Sequence, residues 1–181
     1  MEGAQMTTKE NDLSRYIGSI PDWPKKGILF RDITPLLADP KAFTAAVEAL
    51  CSDFTEAGVE YVAAVEARGF IFGAAVAAKL GAGFVPIRKQ GKLPGQTESI
   101  TYDLEYGTDT LEVHRGAIRS GAKVLMVDDL LATGGTMAAA CKLIEKISGH
   151  VIGITFLVEL AALGGRGKID NYTVASIITY E

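Results

Sequence analysis

Apolar positions along the chain follow two rhythms. Short apolar runs at Tyr61–Val65, Phe84–Ile87, Lys123–Val127, Val151–Val158 and Tyr172–Tyr180 read as strands. Several lack polar alternation, the mark of strands buried on both faces. Between them the spacing changes to that of helices. Met137, Ala140, Cys141, Ile144 and Ile147 recur at helical spacing and predict a helix over about Met137–Ile147. Asp39-Pro40 opens another through about Ala57, with Phe43, Val47, Leu50 and Phe54 on its apolar side and Gly58 as its stop. A third spans Phe70–Leu80 and ends at Gly81. Asp12–Gly18 predicts a short first helix and Arg115–Arg119 a single helical turn. Ile28-Leu29-Phe30 is a brief apolar segment after the turn chemistry of Pro21–Gly27.

Strands alternating with helices predict an α/β fold: a parallel sheet with helices on both faces. The segment 88–114 breaks the alternation. Arg88–Gly95 is a basic loop, and Ile100–Tyr106 and Thr110–His114 form a hairpin joined through Gly107-Thr108-Asp109. A long excursion inside a compact domain tends to be functional, so this region reads as a flexible flap projecting from the sheet.

Composition narrows the class. With 181 residues, 48% of them hydrophobic, the chain can bury a full core and reads as a single domain over 11–181. The polar residues 1–10 read as a tag or disordered N-terminus, with Met6 as a second start. A net charge of −4 argues against nucleic acid as the main partner, because that role normally needs a basic footprint. No apolar run is long enough to span a membrane and no signal peptide is evident, so the expected location is cytoplasmic. Cys51 and Cys141 lack metal-ligand spacing and read as buried free thiols. His114 and His150 read as structural or solvated, Glu112 reads as a solvated hairpin residue, and no function is read for 161–181.

The chemistry concentrates in Val124–Thr136. An apolar strand is stopped by Asp128-Asp129, and Ala132-Thr133-Gly134-Gly135-Thr136 leads into a helix N-terminus. Backbone amides and the helix dipole at such a terminus bind phosphate, glycines let the backbone come close, and Thr133 and Thr136 add hydroxyls. Paired carboxylates accept hydrogen bonds from vicinal hydroxyls. Together they fit a ribose 5-phosphate. ATP fits poorly without a GK[ST] sequence, and a dinucleotide fits poorly without GxGxxG.

This segment resembles the phosphoribosyl-pyrophosphate motif of type I phosphoribosyltransferases. The order of Gly27–Pro35, Glu66–Phe70, Arg88-Lys89, Gly91–Gly95 and Tyr102–Gly107 resembles the adenine-using branch of that family. The resemblance implies transfer of phosphoribosyl from phosphoribosyl pyrophosphate to adenine, giving AMP and pyrophosphate in purine salvage. It implies that Asp128 and Asp129 hold the ribose hydroxyls and Ala132–Thr136 the 5′-phosphate. Arg68, Arg88, Lys89 and Lys92 would face pyrophosphate. Leu29, Phe30 and Arg31, in a hood at 20–36, would read adenine. Glu105 would be the acid/base near N7, with Arg68 also catalytic, and Tyr106 would help a flap at 88–114 close. Mg²⁺ is expected through substrate oxygens, with no direct protein ligand, and a homodimer is expected. A 6-oxopurine or xanthine enzyme with a different hood is the alternative, followed by a regulator sensing phosphoribosyl pyrophosphate on the same fold.

Overall fold

A computed structural model of the chain describes residues 12–103 and 107–181. They form two compact units, one ending at Glu48 and one running from Ala49 to Glu181.

The first unit begins with a 3-10 turn, Leu13–Tyr16, capped by the Asp12 carboxylate, which accepts from the Ser14 amide. The expected helix over 12–18 is thus only one short turn. Strands β1 (Gly18–Pro21) and β2 (Leu29–Asp32) then pair antiparallel, with Ser19 opposite Arg31 and Ile20 opposite Phe30. The apolar segment read at 28–30 is the second half of this hairpin. Its first half, GSIP, was invisible to periodicity because it is too short to show one. A five-residue helix, α1 (Thr34–Ala38), follows with Pro35 in its first turn. Asp39 then caps α2 (Pro40–Cys51) by accepting from the Lys41 and Ala42 amides.

The second unit is a seven-stranded sheet with helices packed on it. Its strands are β3 (Tyr61–Val65), β4 (Gly83–Lys89), β5 (Thr97–Asp103), β6 (Thr108–His114), β7 (Lys123–Leu131), β8 (His150–Leu160) and β9 (Val174–Tyr180). They lie in the order β5-β6-β4-β3-β7-β8-β9. The run β4-β3-β7-β8-β9 is parallel, as the alternating pattern predicts. The edge is not, because β6 joins β4 antiparallel and β5 joins β6 antiparallel. The segment expected to project is therefore in part an extension of the sheet. Leu111 and Val113 on β6 are fully buried in the core, and Glu112 between them is buried too, accepting a hydrogen bond from the Gly91 amide. The reading of Glu112 as solvated is corrected by that burial. Thr108 and Asp109 belong to β6 rather than to the hairpin turn. Arg115–Arg119 forms turns rather than helix, and it buries Ile118.

Helix α3 (Arg68–Leu80) ends at Gly81, whose φ of 67° is the left-handed cap expected there. Its approach to the sheet depends on small residues. A Cβ on Gly73 would lie 2.7 Å from the Ala64 methyl, and one on Gly69 would lie 2.6 Å from Asp128 Oδ1. Helix α4 (Gly135–Lys146) buries Met137, Ala140, Cys141 and Ile144, four of the five residues assigned to its apolar face. Cys51 and Cys141 are both free and buried, and burial pushes the Cys141 thiol up to about 12. No helix among the described residues is long and apolar enough to cross a membrane.

Strand β7 departs from expectation where it matters most. It does not stop at Asp128-Asp129 but continues to Leu131. Pairing with β3 ends at Val127, while pairing with β8 continues to Leu131 opposite Glu159. The two aspartates thus lie on a strand supported from one side only. A cavity opens beyond the end of β3, at the carboxyl ends of the strands where open α/β sheets take ligands.

Candidate functional site

The cavity holds about 260 Å³ and is lined by Glu66 and Arg68 on one side and by 128–137 on the other. Asp128, Asp129, Arg68 and the loop Ala132–Thr136 therefore share one space, as the motif reading requires. Asp128 Oδ1 accepts from the Asp129 amide at 2.9 Å. Asp129 Oδ2 lies 2.8 Å from Arg68 Nη2, a close ion pair. That oxygen is buried and, among the described residues, receives no well-aligned hydrogen bond.

Burial, followed by the charge of Asp129, pushes the Asp128 carboxyl well above the usual range. Burial raises Asp129 too, against the opposing pull of Arg68. Two adjoining buried carboxylates resist double ionisation, and a site of this kind favours ligands that bring hydroxyl donors or positive charge.

The loop that follows is held by backbone fit. Gly134 has φ 75°, and a Cβ there would overlap the carbonyl oxygen of Gly165. A Cβ on Gly165 would in turn overlap the carbonyl oxygen of Ala132. The two glycines let two stretches of backbone touch. The turn carrying Gly165 is fixed by Arg166, whose Nε and Nη2 donate to the Glu159 carboxylate at 2.9 and 2.5 Å and whose Nη1 donates to the Val174 carbonyl. Arg166 holds the Glu159 carboxyl below its ordinary value. From a third side, Tyr102 on β5 places its hydroxyl 3.2 Å from Thr136 Oγ1. Gly165 and Arg166 escaped the sequence reading, and Tyr102, though inside a quoted segment, was given no role there. Their only signal is spatial, since each partner lies in a different element.

At the other end, the basic residues gather on one carboxylate. Glu66 accepts from Lys92 Nζ at 2.8 Å, from the Lys89 amide at 2.7 Å and from Arg88 Nη2 at 3.3 Å. Burial works to raise its pKa, but these donors outweigh it and hold the carboxyl at about 2. Lys89 Nζ turns instead to Asp109 at 3.1 Å. Arg88, Lys89 and Lys92 do not line the cavity wall themselves. Glu66, which does, ties Arg88, Lys92 and the Lys89 backbone to it. The sequence singled out the cations but not the carboxylate that organises them. The peptide between Glu66 and Ala67 is cis.

Leu29, Phe30 and Arg31 belong to the first unit. Leu29 is exposed, Phe30 packs edge-on against Trp23 with ring centroids 4.4 Å apart, and Arg31 Nη1 donates to Ser19 Oγ at 2.6 Å. Glu105 and Tyr106 lie outside the described residues. His114 hydrogen-bonds the Pro94 carbonyl through its ring, and His150 is exposed. No cluster of three or more His, Cys, Asp or Glu side chains that could hold a metal unaided occurs among the described residues.

Residues 37–180 match the model of the phosphoribosyl transferase domain family. The chain is 53% identical over 169 residues to the adenine phosphoribosyltransferase of Rhodopirellula baltica, covering 93% of this chain and 82% of that one. The crystal structure of adenine phosphoribosyltransferase from Thermoanaerobacter pseudethanolicus superimposes with a TM-score of 0.88 at 52% identity, covering 93% of this chain and 98% of that one. The enzyme from Giardia lamblia, solved in complex with 9-deazaadenine, gives a TM-score of 0.88 at 39% identity, covering 94% and 97%.

Proposed function

The chain belongs to the phosphoribosyltransferase family and within it to the adenine phosphoribosyltransferases, and from that premise we propose how its residues divide the work of making AMP. The reaction transfers phosphoribosyl from phosphoribosyl pyrophosphate to adenine. The bond between the anomeric carbon and the pyrophosphate oxygen breaks, and the pyrophosphate leaves with the bonding electrons. Adenine N9 forms the new bond from the opposite face, and one ring proton must be taken up.

The observation that carries the proposal is the common cavity of the two aspartates, the Thr-Gly-Gly-Thr loop and Arg68. In it, Asp128 and Asp129 hold the ribose hydroxyls. Their negative charge also offsets positive charge developing on the ribose ring as the leaving group departs. The loop Ala132–Thr136 holds the 5′-phosphate at the N-terminus of α4. Arg68 is the catalytic cation for the leaving pyrophosphate, and it must loosen its pairing with Asp129 to serve there. Arg88, Lys89 and Lys92 supply further charge at that end. Glu105 takes the proton at adenine N7, and Tyr106 assists closure of the hairpin, which keeps water from the activated sugar. Leu29, Phe30 and Arg31 read the base: backbone groups at Leu29 and Arg31 meet the amino group and N1, and Phe30 packs on the ring.

A magnesium ion fits this chemistry. The cavity offers hard carboxylate oxygens, and among the described residues no cluster of three or more could hold the ion unaided, which suits an ion carried mainly on substrate oxygens. When bound, it would add positive charge along the pyrophosphate and ribose oxygens. The ribose hydroxyls that Asp128 and Asp129 orient are among those oxygens. A cytoplasmic homodimer completes the proposal.

Product analysis with adenine, hypoxanthine and guanine, each with phosphoribosyl pyrophosphate and Mg²⁺, tests the reading. AMP from adenine alone is expected; equal or faster turnover of a 6-oxopurine would overturn the base assignment. Glu105→Gln should slow single-turnover chemistry by about 100-fold or more, in the range general acid/base groups supply. An unchanged chemical step would remove Glu105 from that role.

A further inference from the structure

We propose that Lys168 is a further phosphate-binding residue, reaching the 5′-phosphate from the turn after β8. This rests on the assignment of the loop Ala132–Thr136 to that phosphate. A Cβ built on Gly135, the first residue of α4, would lie 3.8 Å from Lys168 Nζ. The ammonium is therefore beside the backbone that receives the anion. Its position is not accidental to a floppy tail. Lys168 ends the 3-10 turn Gly165–Lys168, which Gly165 presses against Ala132 and Gly134 and which Arg166 locks to Glu159 and Val174.

Charge balance points the same way. Arg68, Arg88, Lys89, Lys92 and Arg166 are each paired with a carboxylate. Among the described residues, Lys168 has no hydrogen-bond or ion-pair partner, so it is a cation beside the loop that needs no release before it meets an anion. A helix terminus contributes only partial charges to a phosphate dianion, and a mobile ammonium within a few ångströms adds a full one. The same chemistry sorts substrates. A ribose lacking its 5′-phosphate gains nothing from Lys168, so the residue raises affinity for the phosphorylated sugar specifically.

Two variants, Lys168→Met and Lys168→Arg, separate charge from packing, since both keep a long stem. The measurements are KM for phosphoribosyl pyrophosphate at saturating adenine and binding of ribose 5-phosphate and of pyrophosphate by calorimetry. Lys168→Met should weaken ribose 5-phosphate and raise KM by about 2- to 5-fold, the size of one partly screened charge pair, and more at low salt. Its effect on kcat and on pyrophosphate affinity should be much smaller, and Lys168→Arg should restore most of the loss. Unchanged ribose 5-phosphate affinity in Lys168→Met overturns the proposal. So does an equal loss for pyrophosphate, or a loss that arginine fails to restore, because either would trace to the packing of the turn. Failure of the wild-type protein to bind ribose 5-phosphate would instead sink the loop assignment itself, which keeps the two outcomes apart.

Discussion

At the loop Ala132–Thr136 the groups proposed to bind phosphate are backbone amides and short hydroxyls, braced by Gly165 and Tyr102 from neighbouring elements. Around Glu66 they are mostly the ends of long side chains from Arg88 and Lys92, held in place by one carboxylate. The first region spends its ordering cost during folding; the second keeps its cations paired until a more negative partner arrives. A terminal phosphate that only anchors the substrate suits a fixed cradle. A pyrophosphate that must be gripped more tightly as it leaves suits groups that can shift, because only interactions that strengthen in the transition state speed the reaction.

The strongest way to break this contrast is to disturb the fixed cradle at its tightest point. Gly134→Ala places a Cβ into the Gly165 carbonyl at φ 75°, so one of the two backbones must move. We expect a loss of about 2 to 4 kcal/mol in stability and of about 1,000-fold in kcat/KM, read by thermal unfolding and initial rates. A near-neutral result would mean that the loop is pliable and that the contrast is false. At the other end, Arg68→Met should lower kcat/KM by about 100-fold, and Arg68→Lys should recover only part, because a fork of donors is replaced by a point charge. Full recovery by lysine would assign Arg68 a charge role without geometry.

The two ends also differ in how plainly they were written in the sequence. The cradle is local: strand, acids, glycines and helix follow one another over thirteen residues, and the spacing alone implies an anion site. The cluster at Glu66 depends on partners 22 to 26 residues away, and no local pattern records such a pairing. The same limit explains the misread elements. Strand β7 runs through its aspartates because β8 continues to pair with it, although the acids look like a stop. Glu112 alternates like a solvated residue, yet β6 lies between two strands and the Gly91 amide meets its carboxylate. The hairpin of β1 and β2 was half legible, since β2 follows on a short apolar run while β1 is four residues long and holds Ile20 alone between glycine, serine and proline. The parallel character of β3, β4, β7, β8 and β9 was readable because each is an apolar run separated from the next by polar or helical stretches, but their order in the sheet was not.

A smaller effect sharpens the contrast through pH. Glu66 is held at about 2, below its unfolded value of about 4.5, so it stabilises the fold above the unfolded value. That contribution is lost as pH falls from about 4.5 toward 2, where the native carboxylate finally takes a proton. Glu66→Gln should lose about 1 to 3 kcal/mol at neutral pH, because Arg88 and Lys92 lose their shared acceptor. Below pH 4.5 its melting temperature should fall less steeply than that of the wild type. Parallel curves for the two proteins would show that Glu66 titrates normally and that the cations are held by something else.

The mildest test asks whether the cradle needs its neighbours at all. Tyr102→Phe keeps the ring on β5 and removes only the hydroxyl that meets Thr136 Oγ1. One neutral hydrogen bond contributes about 0.5 to 1.5 kcal/mol, so KM for phosphoribosyl pyrophosphate should rise by about 2- to 12-fold with little change in melting temperature. Since Tyr102 precedes Glu105 by three positions in the sequence, kcat should fall along with that rise if the hairpin is registered against the phosphate loop. A change in KM alone would confine Tyr102 to orienting the Thr136 hydroxyl. No change in either would mean that the amides and glycines of the loop hold the phosphate without help from the hairpin, and the bracing described on that side would be contact without consequence.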